Sequence, residues 1–233
     1  MKSKKPNSFF QSLKIATLTV SILWLVHLVT FLTFIDLGNL GIFPRTDFGI
    51  KGILFSPWIH GNWSHLMSNT PPLFALMTLI LFFYRRISFP ALFLIYFLTG
   101  SLVWLFGRQV FHIGASGVIY GLVAFVFWLG IFRRNIRSIA LAILVGFYYG
   151  SMIIGIFPGQ EGISWESHLL GAISGMITAF LFKNTEEEED YNERRRKKLF
   201  EKQEKEFFLP RETFEQAPQK DGWFQNRTWF LPL

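Results

Sequence analysis

The sequence predicts an all-α membrane protein, a bundle of six transmembrane helices, and three observations carry that prediction. Charge is unevenly spread: of 233 residues 39 are charged, and only 17 of these lie in the first 183 positions while 22 crowd into the last 50. The first part holds six long stretches without a charge. The connections between those stretches alternate between rich and poor in basic residues, as they do when a chain crosses a membrane repeatedly. Overall apolar content is 51%, close to that of soluble proteins, so the distribution decides and the average does not. The chain divides into an N-terminal segment 1–14, a six-helix transmembrane domain 15–183 and a charged tail 184–233.

The first stretch, Ile15–Ile35, has 21 residues without a charge, and roughly 20 suffice for a helix to cross the hydrocarbon core. Lys2, Lys4 and Lys5 precede it as they would a signal peptide, but the stretch is long for a signal core and no small-x-small cleavage site follows, so it reads as a retained helix. Five more stretches follow: Leu66–Tyr84, Phe89–Gly107, Ser116–Phe132, Ile139–Phe157 and Ser167–Phe182. The fourth and sixth are the shortest, near the lower limit for a span. The Pro71-Pro72 pair is expected to kink or loosen the start of the second helix, which neighbours in a membrane can compensate.

Ten basic residues fall on one side: Lys2, Lys4, Lys5, Lys14, Arg85, Arg86, Arg133, Arg134, Arg137 and Lys183. The other side receives Arg45, Lys51 and Arg108, with the four acids Asp36, Asp47, Glu161 and Glu166. The bias predicts cytoplasmic termini and outward loops 36–64, 108–115 and 158–166. The surplus of cations is thus a topological signal, and no basic face for nucleic acid is formed. Cysteine is absent, which excludes disulfides, thiolate metal sites and cysteine nucleophiles.

Within that topology the polar groups converge. The second, fourth and sixth helices all begin from the outer side, with His65 and Asn69, Ser116, and His168 near their starts. His65 and Asn69 are four apart, about 40° round a helix, and share a face. A serine hydroxyl becomes nucleophilic when a base takes its proton, and a nearby imidazole does that near neutral pH. Ser116 and His168 are the expected pair. Attack on a carbonyl builds charge on oxygen, and the candidate donors for it are the Asn69 amide, a His65 ring nitrogen and the free N–H groups opening the fourth helix. Gly117-x-x-x-Gly121 and Gly171-x-x-x-Gly175 are small-x-x-x-small patterns that let two membrane helices approach closely. Tyr120, on the serine's face, is expected beneath the pair, stacked on His168.

Together, Gly114-Ala-Ser116-Gly117 with Tyr120 four after the serine, His65-x-x-x-Asn69 and His168-Leu-Leu-Gly171 resemble the rhomboid intramembrane serine proteases, over roughly residues 40–182. The resemblance implies a Ser116–His168 dyad without aspartate, an oxyanion site from His65 and Asn69, and cleavage of peptide bonds in or near transmembrane segments of membrane-protein substrates. It implies no cofactor and no metal. Gly114, Gly117, Gly121, Gly171 and Gly175 would support the site. One departure is that Asp47–Pro57 reads Asp-Phe-Gly-Ile-Lys-Gly-Ile-Leu-Phe-Ser-Pro, without the Trp-Arg pair that many relatives carry there. The expected location is a bacterial plasma membrane, as a multi-pass protein.

Two other classes share some of these features. A rhomboid-like binding or translocation scaffold would keep the fold and lose Ser116 or His168, and both are present. A metal-dependent protease would draw on the outer histidines with Glu161 or Glu166, but His-Glu-x-x-His is absent and His60 and His65 are five apart, on different helical faces. His60 and His112 flank the site with no role assigned, and His27 reads as an interhelical contact. In the tail, Glu186–Asp190 followed by Arg194–Lys198 suggests a solvated helix whose basic block is also suited to anionic headgroups. Phe207, Phe208, Trp223, Phe224, Trp229 and Phe230 make its end aromatic.

Overall fold

In the computed structural model, which describes residues 8–159, 164–185 and 187–207, the described residues are mostly helical, and the only strand-like pairing among them is an isolated bridge between Ile42 and His112. The helices are α1 (Ser8–Thr33), α2 (Gly52–Phe55), α3 (Trp63–Phe83), α4 (Ser88–Phe106), α5 (Ser116–Arg133), α6 (Ile136–Tyr149), α7 (Trp165–Phe182) and α8 (Glu188–Phe207). Helix α6 runs on as a 3-10 turn, Gly150–Ile156. Lys2, Lys4, Lys5, Glu161, Glu186 and the aromatic residues from Phe208 onward lie outside the described residues.

Five of these helices are long and apolar enough to cross a membrane by length and composition: α1, α3, α4, α5 and α6 with its extension. The sixth expected span is present as α7, eighteen residues long like α5, but it falls short on apolarity at that length. The reason is physical. Helix α7 buries Glu166, His168, Ser174 and Thr178 against its neighbours, so polar residues replace part of the apolar run. Ser174 and Thr178 satisfy their hydroxyls on the carbonyls one turn back, Leu170 and Ser174.

Helix α5 is the hub. Ile119, Leu122, Phe125, Val126 and Leu129 are almost wholly buried along it, packed in one apolar core with α3, α4, α6 and α7. Its contact with α7 is backbone on backbone: a Cβ at Gly171 would lie 2.0 Å from the Gly117 carbonyl oxygen, and one at Gly175 would lie 2.0 Å from that of Gly121. Helix α4 closes on the same stretch, with Ile95 and Thr99 reaching Gly121 and Gly117. Helix α1 packs on α3 and leaves Leu18, Leu25 and Leu32 exposed, as a lipid-facing helix does.

Helix α3 passes through Pro71 and Pro72 without ending, whereas the sequence suggests a loosened start. Just before the prolines, the side chains of Ser68, Asn69 and Thr70 donate to the His65 and Leu66 carbonyls, and Trp24 of α1 donates to Thr70 Oγ1 at 3.0 Å. These bonds add side-chain ties to the turn just before the prolines, whose missing N–H groups leave the Met67 and Ser68 carbonyls without their helical donors.

The segment between α1 and α3 docks on α4 without a Trp-Arg pair. Trp104 donates to the Thr46 carbonyl at 3.0 Å, Arg45 donates to the Leu105 and Gly107 carbonyls, and Tyr96 donates to the Leu54 carbonyl while accepting from Trp58. At the far end of the bundle Glu187 is buried, accepts from the Arg86 amide at 2.9 Å and pairs with Arg133. The chain accordingly divides into two compact units at Glu187/Glu188. Described by itself, α8 is a charged helix opening Glu188-Glu-Asp and continuing through Arg194–Lys198.

The α5–α7 contact leaves no room for a methyl group. Gly175→Ala should therefore overpack it, at a cost of about 1–3 kcal/mol, and lower the melting temperature in detergent. Gly150→Ala, where an added Cβ meets nothing within 4 Å, should leave melting unchanged. Equal stability of the two variants would show that the helices separate freely.

Candidate functional site

One cavity of about 950 Å³ opens at the end of the bundle where α3, α5 and α7 begin, and His65, Asn69, Ser116 and His168 all line it. Ser116 is the first residue of α5, half-buried, and no side chain caps that helix. His168 stands in the first turn of α7, capped by Ser164, and is 7% exposed. Its Nε2 lies 2.9 Å from Ser116 Oγ, and its Nδ1 lies 2.9 Å from the Gly155 carbonyl oxygen. A carbonyl only accepts, so Nδ1 carries the proton and donates to Gly155. Nε2 is left with its lone pair toward the serine hydroxyl.

The imidazole is held on its face as well. The Tyr120 ring stacks against it at 4.1 Å between centroids and 8° between planes, and the Tyr120 hydroxyl donates to the Met152 carbonyl at 2.7 Å. Tyr120 and His168 thus each bond to the 3-10 turn after α6. Gly155 belongs to this arrangement and is not signalled by the sequence: a Cβ there would lie 2.1 Å from the Tyr120 hydroxyl and 3.2 Å from His168 Nδ1. The glycine lets the turn come close enough for its carbonyl to reach the ring.

Across the cavity, Asn62 caps α3 by accepting from the His65 amide at 2.8 Å. The His65 ring packs against Gly114, whose φ of +100° and position 2.5 Å from the ring (measured from an added Cβ to Cε1) both require glycine. Asn69 is buried and donates from Nδ2 to the His65 carbonyl at 3.0 Å. An amide nitrogen has two N–H groups, so the second remains for the cavity. The structure therefore brings all four candidate residues to one cavity and places the five expected supporting glycines at close contacts.

The two histidines without an assigned role are also located. His112 bonds to Ser164 through Nδ1 and to the Arg108 carbonyl at 2.9 Å through Nε2, a tether between the α4–α5 loop and the cap of α7. His60 is buried beside His65, 4.9 Å between ring centroids, and neither of its ring nitrogens has a hydrogen-bond partner among the described residues. His27 packs edge-on against Trp63 at 4.4 Å, the interhelical contact the sequence suggests. Glu166, a ligand in the metal-enzyme alternative, is instead bonded to Arg108 through both carboxylate oxygens.

Burial, and secondly the neighbouring His65, push the His60 pKa from 6.5 down to about 4. Burial lowers His112 in the same direction. When folded, His60 stays neutral to about pH 4, whereas the unfolded chain takes up its proton near pH 6.5, so stability present at neutral pH is lost as pH falls through that window. The melting temperature in detergent should fall between about pH 7 and pH 4.5, and His60→Phe should flatten the fall. Identical slopes for wild type and variant would count against it.

Comparison with known proteins gives the context. The Rhomboid domain family matches residues 49–185. An uncharacterized protein of Mycobacterium tuberculosis is 38% identical over 176 residues, covering 72% of this chain and 73% of its own length. One of Mycobacterium leprae is 38% identical over 179 residues, covering 72% and 70%. A protein of Acanthamoeba polyphaga mimivirus that is named as a rhomboid is 28% identical over 149 residues, covering 60% of this chain and 80% of its own length. With five membrane-competent helices and a domain match over more than half its length, this integral multi-pass membrane protein belongs to the rhomboid family.

Proposed function

We propose that this protein is an intramembrane serine protease that cleaves peptide bonds in or near transmembrane segments of membrane-protein substrates. The observation that carries the reading is the 2.9 Å contact between His168 Nε2 and Ser116 Oγ, with Nδ1 committed to Gly155. In the proposed reaction Ser116 Oγ attacks the scissile carbonyl carbon while its proton passes to Nε2. The oxygen then carries negative charge and meets the uncapped N–H groups at the start of α5, the remaining Asn69 N–H and the His65 ring. His168 returns the proton to the departing amine as the C–N bond breaks. Water, activated by the same imidazole, then hydrolyses the Ser116 ester.

Membership of the family and the lipid-facing helices support a substrate that arrives through the bilayer. We place both termini in the cytoplasm and the site at the outer side, from the ten-to-three bias of basic residues in the connections, in a bacterial plasma membrane. Residues 1–14, 15–183 and 184–233 are then the cytoplasmic start, the transmembrane domain and the cytoplasmic tail. Single cysteines at Val110 and Gln203 should accordingly react with an impermeant maleimide from opposite faces of oriented vesicles; reaction of both from outside would overturn the placement.

The reading is tested by labelling with a fluorophosphonate and by cleavage of a model transmembrane substrate. Ser116→Ala and His168→Ala should each abolish both while the protein still inserts. Asn69→Ala and His65→Ala each remove one donor among several, and one lost oxyanion donor costs about 10²–10³ in turnover, so they should be slowed and still measurable. Near wild-type cleavage by Ser116→Ala would end the serine-protease reading. Complete loss with Asn69→Ala in a folded protein would reassign that residue to holding structure or substrate.

A further inference from the structure

We infer that the Arg108–Glu166 ion pair is a positioning device for the Ser116–His168 pair, acting from the loop between α4 and α5 on the first turn of α7. The inference rests on the serine-protease reading and assigns work to residues outside the reacting atoms.

The loop from Arg108 to Ala115 is anchored before it reaches the site. His112 exchanges both backbone hydrogen bonds with Ile42, at 2.9 and 3.0 Å, and the Gly114 amide donates to the Ser56 carbonyl at 2.9 Å. The loop is therefore fixed to the first outer loop, and Ser116 follows it directly as the first residue of α5. From this anchored segment two side chains reach α7. Arg108 meets both oxygens of Glu166, through Nε and an NH2 nitrogen, and His112 Nδ1 bonds to the cap residue Ser164, whose hydroxyl also lies 2.7 Å from Ser167 Oγ. Glu166 is two residues before His168. One short segment thus carries the serine and grips the turn that carries the imidazole.

This grip supplies what the glycine contact lacks. Glycine surfaces bring α5 and α7 together, but they offer few directional contacts to resist a small slide or rotation of one helix on the other. A bidentate guanidinium–carboxylate pair is directional. It fixes the turn around Glu166 to the Ser116 side of the cavity, and the Glu166 side chain is only 7% exposed while that of Arg108 stays largely open to the cavity. An ion pair with one partner in water adds little to global stability. Its loss should therefore appear in turnover before it appears in melting.

The experiment uses the full-length protein in detergent or liposomes, with Arg108→Gln, Glu166→Gln, the double variant and Arg108→Lys, and Ser116→Ala as control. Misplacement of a reacting group by about 1 Å costs up to about 10²-fold. Each single Gln variant should lose about tenfold in kcat with KM within twofold, and the rate of fluorophosphonate labelling at saturation should fall in parallel. The double variant should be no slower than the slower single one, because both break the same pair. Arg108→Lys, which keeps the charge and loses the fork, should fall between wild type and Arg108→Gln. Melting temperatures of Glu166→Gln and the double variant should stay close to that of wild type, and Arg108→Gln, which leaves the enclosed carboxylate unpaired, is read against them. If Ser116→Ala is inactive while the pair variants keep wild-type kcat, or if their losses multiply in the double variant, or if activity falls only as melting falls, the positioning role is overturned and the protease reading stands. Cleavage by Ser116→Ala would overturn the reading itself.

Discussion

The close approach of α5 and α7 is the constraint on which the rest of the structure depends. Packed helices ordinarily stand about 8–10 Å apart, held there by the side chains between them. Here Gly171 and Gly175 lie against the carbonyls of Gly117 and Gly121, so closely that a single methyl would collide. In lipid there is no water to drive helices together, and close backbone packing substitutes for it. The same contact makes α5 central, since α4, α6 and α7 all pack round its buried face. The 2.9 Å distance between Ser116 and His168 is a consequence of it.

Much of this was legible in the sequence because it is written in side chains at helical spacing. The apolar runs located the helices, and the glycine pairs, Ser116, Tyr120 and His168 fell on faces that a period of 3.6 predicts. Gly155 was not legible. Its contribution is a backbone carbonyl presented by a 3-10 turn, and a carbonyl leaves no mark on residue identity beyond the demand for a small side chain. Arg108 counted in the sequence only toward topology and Glu166 only toward topology and the metal alternative; they stand 58 positions apart, and nothing in their spacing says that they meet. Glu187 reads as part of an acidic tail run, yet it is buried, accepts from the Arg86 amide and pairs with Arg133.

The sixth helix illustrates a tension that composition alone resolves poorly. A helix that buries polar side chains inside a membrane protein is less apolar than its neighbours, and α7, with Glu166, His168, Ser174 and Thr178 buried, is such a helix. Its polar residues avoid lipid by facing α4 and α5 or by returning hydroxyl protons to their own backbone. The segment between α1 and α3 solves a related problem. It has no Trp-Arg pair, and it still docks, because Arg45, Tyr96 and Trp104 donate to open backbone carbonyls while Trp58 donates to the Tyr96 hydroxyl.

The third member of the site follows from the same economy of charge. A serine–histidine pair needs something to hold Nδ1 protonated so that Nε2 faces the serine as a base, and soluble enzymes use a buried carboxylate for this. A carboxylate at the depth of His168 would itself have to be desolvated, and burying an uncompensated charge is costly. The Gly155 carbonyl accepts the same hydrogen bond without a charge, and the Tyr120 ring supplies the orientation from the face. The carboxylate that is present nearby, Glu166, is neutralised by Arg108 and kept away from the imidazole. In the proposed mechanism the neutral acceptor gives weaker support to the imidazolium that forms during attack, so more of the stabilisation must come from geometry fixed in advance. The stacked tyrosine, the glycine-packed helices and the ion pair at the head of α7 are the means by which this chain fixes it.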